Sequence, residues 1–237
     1  MNIANFNISI AEVETTLKSF NLFRMKGIKS INEKGVSPQF KLASIKEDYV
    51  KAYLEGLKYY DYDFLLNDQS FFQFEFSKTK DFIDIRYAFF QNPINYVTYL
   101  EYLEEQIKTH EIAESIEEIG ELLEDEYNQY LNEQELKSNY TTIRYDSDQN
   151  NYRPLIHSVS HLHIGHMNNV RIPIDKIISP LQFVLFTIKH VYYQEWKEKV
   201  EDDLEFIKER LTTSKNGELI LTQDKWNELE SIELFLK

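Results

Sequence analysis

Four of the six histidines, His157, His161, His163 and His166, fall within ten residues of the stretch RPLIHSVSHLHIGHMNNVR at 153–171. HLHIG reads as a strand, GHMNN as a turn and VRIPI as the returning strand. Side chains on a strand alternate between faces, so His161 and His163 project together while Leu162 and Ile164 turn to the core. If 165–169 is the loop and Ile164 lies opposite Val170, His163 faces Arg171 across the hairpin, within cross-strand reach. The preceding segment TTIRYD (141–146) reads as a strand with Thr142, Arg144 and Asp146 on one face. His157, four residues before His161, would stand ~13 Å away on a straight strand and joins the group only if the chain bends.

Three chemistries suit such a face. In the first, His161 and His163 with a third ligand, His157 or Asp146, hold zinc or another divalent metal and leave one position for an activated water. In the second, no cofactor is needed: two imidazoles act as general base and acid on a phosphodiester while Arg171 and Arg144 hold the phosphate. In the third, the imidazoles recognise an anionic ligand or a partner's carboxylates without chemistry. A guanidinium opposite His163 opposes a bound cation and favours a bound phosphate, which places anion chemistry ahead of a bare metal site. The catalytic candidates are therefore His161, His163 and Arg171, with Arg144 and His157 on the substrate.

Other signals are weaker. A histidine pair on a strand is also satisfied by carbonyls and water, and His166, beside Gly165 in the turn, reads as structural. Glu75 and Asp84 are similar to the carboxylate pair of a metal nuclease, but no lysine stands two places after Glu75. Phosphate-loop, dinucleotide and nucleophile-elbow motifs are absent, and nothing holds Ser158 or Ser160 at the sharp turn a nucleophilic serine requires. With no cysteine there is neither disulfide nor thiolate chemistry.

The positioning elements follow from periodicity. Ser9 can cap a first helix through Ile10, Val13, Leu17 and Phe20, and Ile45, Tyr49, Tyr53, Leu54 and Leu57 make a second. SFFQFEFSK and FIDIRYAFF alternate with period two and form a hairpin about Lys78–Asp81. Asn92-Pro93 opens a helix from about Ile94 to about Gln106, and Ser179-Pro180 opens a buried helix at 180–196. A charged helix at 197–211, a short edge strand at ELILT and a terminal helix from Thr222 complete the chain. No linker divides it, so the expectation is one α+β domain at 1–237: an antiparallel sheet of about five strands packed by the buried helix.

The net charge of −14 argues against a nucleic-acid coat protein. It is unevenly spread: between Glu101 and Glu135 thirteen acids meet one lysine, a local −12, leaving about −2 elsewhere. A local nucleic-acid or phosphate ligand stays open, and the acidic stretch, read as one long amphipathic helix at about 107–135 continuing the run at 101–106, can dock a basic protein partner. No apolar run reaches a membrane span and no secretory leader opens the chain, so a cytoplasmic protein is expected.

The order TIRYD, HSVSHLHIG, VRIPI and SPLQFVLFTIKHVYY resembles the bacterial uncharacterised family known as domain of unknown function 2290, over roughly residues 140–196. The resemblance implies that His157, His161, His163 and Arg171 belong together, and a role in conflict with phages or in a toxin-like system. The expected function is a phosphodiester hydrolase, a nuclease-like effector. The alternative is a non-catalytic subunit that docks a basic partner through its acidic helix.

Overall fold

The computed structural model describes residues 1–27, 35–46, 48–78, 83–94, 99–110, 123–133, 136–137, 139–166, 170–232 and 235–236. Two compact units emerge, one of residues 1–91 and 141–237, the other of residues 92–140.

The larger unit is built on one antiparallel sheet whose seven strands stand side by side in chain order: β1 Phe23–Lys26, β2 Phe64–Leu66, β3 Phe71–Lys78, β4 Ile83–Phe90, β5 Thr142–Asp148, β6 Ser160–Ile164 and β7 Arg171–Pro173. The class is α+β. The expected β3–β4 hairpin has Phe72 opposite Phe89 and Phe74 opposite Tyr87. These aromatic pairs project from one face, and Tyr145 and Leu162 extend the same apolar row onto β5 and β6.

Two helices cover that row: α1, Ile3–Ser19, and α6, Pro180–Val191. Ser179 caps α6 by accepting from the Gln182 N–H, with Pro180 in the first turn where its missing donor costs nothing. Phe183 of α6 is fully buried, its ring centroid 6.2 Å from Phe72 and 5.7 Å from Tyr87. Phe183→Ala should therefore cost about 3–5 kcal/mol of unfolding free energy, read from the denaturant midpoint.

Several sequence expectations are corrected. Asn2, not Ser9, caps α1; Ser9 lies inside the helix and accepts from the Leu181 N–H, tying α1 to α6. The second helix is two, α2 Pro38–Lys46 and α3 Tyr49–Lys58, because Asp48 starts a new cap, and Ile45 is exposed. The buried helix stops at Val191, and α7 (Tyr193–Asp202) and α8 (Leu204–Ser214) follow. ELILT contributes β9, Leu219–Ile220, which pairs with β8, Lys176–Ile177, in a separate small sheet. In place of a terminal α-helix the chain makes a 3₁₀ turn, Glu228–Ser231, with Asn227 and Glu230 as its capping box.

In the smaller unit, α4 (Tyr99–His110) and α5 (Glu124–Glu133) meet through Tyr99 and Tyr102 against Tyr127. Ile94 does not open a helix; it bridges Leu136. Of the expected acidic helix, residues 111–122 and 134–135 lie outside the described residues.

Candidate functional site

The sheet's second face changes character along its length. At one end α2 and α3 roof it with aromatic rings: Phe40 and Tyr49 on Phe90, Tyr53 on Phe71. Beyond this roof the same face carries charged and imidazole side chains around a polar cleft of about 150 Å³. His163 on β6 lies between Arg144 on β5 and Arg171 on β7, and His161 lies opposite Asp146 on β5. Asp146 in turn faces Arg86 on β4. Four consecutive strands thus deliver these groups to one surface, each by the two-residue alternation of a strand.

Asp146 sits at the centre. Its Oδ1 accepts from Arg86 Nε at 3.0 Å, and its Oδ2 from Arg144 Nε at 2.8 Å and from His163 Nε2 at 3.3 Å. Burial alone would raise this carboxyl, but the His163 hydrogen bond and the Arg144 and Arg86 charges outweigh it and hold the group far below the usual carboxylate range. Asp146 is therefore an ionised anchor that orients two guanidiniums and one imidazole.

His161 is 2 % exposed and its Nδ1 donates to the Ser158 carbonyl at 2.9 Å. A carbonyl can only accept, so the neutral ring keeps its lone pair on Nε2. Burial first, then the positive potential of His163, push His161 down to about 4, which keeps it neutral at physiological pH. Its ring centroid lies 4.8 Å from that of His163 and 4.9 Å from that of His157.

The bend that His157 needs is present. Arg153 and His157 exchange backbone hydrogen bonds at 2.9 and 2.8 Å around Leu155, whose φ of 63° closes the turn. His157 Nδ1 is buried there without a hydrogen-bond partner among the described residues. Arg171 is exposed at the cleft, and its guanidinium has no hydrogen-bond or ion-pair partner among the described residues. It is the cation most readily given to a ligand.

All the sequence candidates, His157, His161, His163, Arg144, Asp146 and Arg171, thus line one cleft. Thr142 shares their face, but its hydroxyl is spent on the Phe89 carbonyl at 2.8 Å. His166 packs against Tyr49 under the roof. Ser158 bonds Glu230, and Ser160 lies between Tyr145 and the Lys176 carbonyl, so neither is poised as a nucleophile. Arg86 is the member that sequence reasoning missed: alternation puts it on the polar face, but its partner lies sixty residues on. Asp84 and Asp148 face each other across β4 and β5 at the cleft margin, and burial, despite the Arg86 charge, raises the Asp84 carboxyl.

Two ligand classes suit these donors. Asp146, His161 and His163 each offer an atom within 4.8 Å of the others, close enough to gather round a cation after small rotations. Against this, both Asp146 oxygens already accept from cationic or imidazole donors, and three guanidiniums ring the cleft. An anion with several acceptor oxygens meets the arrangement with less rearrangement.

No curated protein and no solved structure matches the chain. One family model, described as an uncharacterized conserved protein, matches residues 16–229, a span that takes in every strand and the whole cleft, and the chain belongs to that family, DUF2290.

Proposed function

We propose that the chain is a phosphodiester-cleaving enzyme whose active site is the histidine–arginine cleft. The observation that carries this reading is the row on β4 to β7: Arg171 without a partner among the described residues, two further guanidiniums oriented by Asp146, and two imidazoles 4.8 Å apart on one face. Arg171, with the Nη donors of Arg144 and Arg86 that bond to no other described residue, binds non-bridging phosphate oxygens and neutralises the charge that grows on them at the transition state. His161, with its Nε2 lone pair, accepts the nucleophile's proton, and His163 delivers one to the leaving oxygen. Asp146 stabilises the His163 imidazolium and fixes its tautomer.

The test is turnover of RNA, DNA and an activated aryl phosphodiester by the purified full chain. Arg171→Ala, at an exposed position, should leave the melting temperature within about 1 °C, weaken substrate binding at least tenfold and lower kcat further, as loss of one charge-assisted phosphate contact does. Folded His161→Ala and His163→Ala proteins that turn over at the parent rate would refute the assignment.

A further inference from the structure

We infer that the substrate is RNA, and that the attacking oxygen is the 2′-hydroxyl next to the scissile phosphate, giving a 2′,3′-cyclic phosphate and a free 5′-hydroxyl. This rests on the phosphodiesterase reading and goes further by asking where the nucleophile comes from.

The cleft offers proton-transfer groups and phosphate-holding charge, and among the described residues its lining provides no nucleophile suited to the task. The chain has no cysteine, Ser158 and Ser160 are held in other hydrogen bonds, and neither serine lines the cleft. A metal-bound hydroxide would need a dication beside Asp146, whose oxygens already accept from Arg86, Arg144 and His163. Adding a cation there means breaking those bonds against the repulsion of the same guanidiniums. Asp84 and Asp148 at the margin offer carboxylates, but both Asp148 oxygens already accept, from the Asn150 N–H and the Asn151 amide, and Asp84 stands beside the Arg86 guanidinium.

What remains is acid–base catalysis with electrostatic stabilisation. Proton transfer contributes roughly 10²–10⁴-fold, and a lost oxyanion donor typically costs a further 10²–10³. These factors alone leave attack by a free water on a phosphodiester slow, even with His161 as its base. An internal hydroxyl changes the balance, because an oriented intramolecular nucleophile has an effective concentration of roughly 10⁵–10⁸ M. Of the two nucleic acids only RNA carries that hydroxyl.

The step balances within the substrate and two rings. The 2′-hydroxyl proton passes to His161 Nε2 as the 2′-oxygen–phosphorus bond forms, the phosphorus–5′-oxygen bond breaks, and the leaving 5′-oxygen takes a proton from the His163 imidazolium. No water is consumed and no electrons are exchanged. The two imidazoles are neighbours on one face with their centroids 4.8 Å apart, so a single phosphate in the cleft is within reach of both.

The experiment uses the full chain, chelator-treated, on a single-stranded RNA oligonucleotide, the same oligonucleotide with every 2′-hydroxyl removed, and a mixed strand carrying one ribose. Expected are cleavage of the RNA, cleavage of the mixed strand only 3′ to the ribose, 2′,3′-cyclic phosphate ends by mass spectrometry, and no cleavage of the all-deoxy strand. Comparable cleavage of the all-deoxy strand, or RNA products with 5′-phosphate ends, would overturn the 2′-hydroxyl inference while leaving the phosphodiesterase reading standing. Activity that returns only on adding zinc or manganese would do the same. Cleavage of none of the three strands, with or without metal, would overturn both.

Discussion

Between pH 6.5 and pH 4 the wild-type protein should lose about 3 kcal/mol more stability than a His161→Asn variant loses over the same range. The folded ring titrates near 4 and the unfolded ring near 6.5, because burial and the neighbouring His163 charge disfavour the imidazolium in the native state. In that window the unfolded chain binds a proton that the folded chain refuses, so stability falls as pH drops. The contribution is fully present above 6.5 and gone below 4. At about 1.36 kcal/mol per unit, the gap of some two and a half units gives the stated magnitude. Asp146 does not confuse the result: its native carboxyl is depressed, so its stabilising contribution holds above the unfolded value of about 3.9 and is lost only at lower pH. Urea midpoints at half-unit steps measure the difference, and parallel pH profiles for the two proteins would contradict the burial argument.

Asp146→Asn should be the most damaging isosteric change in the cleft, lowering kcat on the order of 10³–10⁴-fold by analogy with the loss of the carboxylate behind a catalytic histidine. An amide cannot hold two guanidiniums and an imidazole as a carboxylate does: it loses the charge, and one of its two oxygens becomes a donor facing Arg86 or Arg144. Stability should drop by about 2 kcal/mol, less than for a fully enclosed ion pair because both arginine side chains reach solvent. A separate readout distinguishes positioning from mere support. Because Asp146 stabilises the protonated form of the general acid, its loss should displace the alkaline limb of the kcat profile, and a variant with lowered stability but an unchanged profile would mean that Asp146 serves only the fold.

Much of this site is written in local pattern. Alternation over HLHIG and VRIPI is enough to place His161, His163 and Arg171, and the register that sets His163 against Arg171 needs only the pairing of two strands that are neighbours in sequence. His157 is harder, because the bend that returns it depends on Leu155 adopting a positive φ, which a leucine does not advertise. Arg86 is hidden by separation. Its pairing with Asp146 needs β4 and β5 to be neighbours across the whole 92–140 segment, and no short-range signal reports that. β1 and β2 are concealed by their length: FRMK and FLL are too short to show a period, and they become strands because β2 pairs with the edge of β3 and β1 with the edge of β2. The terminal segment differs for another reason, since a capping box marks where a helical turn begins and does not say how long it runs.

The clamp between Gln91 and Thr141 has a consequence for how the chain can vary. Their backbones bond at 3.2 Å, and the Gln91 side chain accepts from the Thr141 N–H at 3.0 Å, so β4 and β5 stay stitched where the polypeptide departs and returns. Lengthening an excursion between two such fixed points costs only about 0.6 kcal/mol per doubling. The excursion is thus free to grow, shrink or be recoloured in charge, while the groups that meet on the sheet keep their spacing.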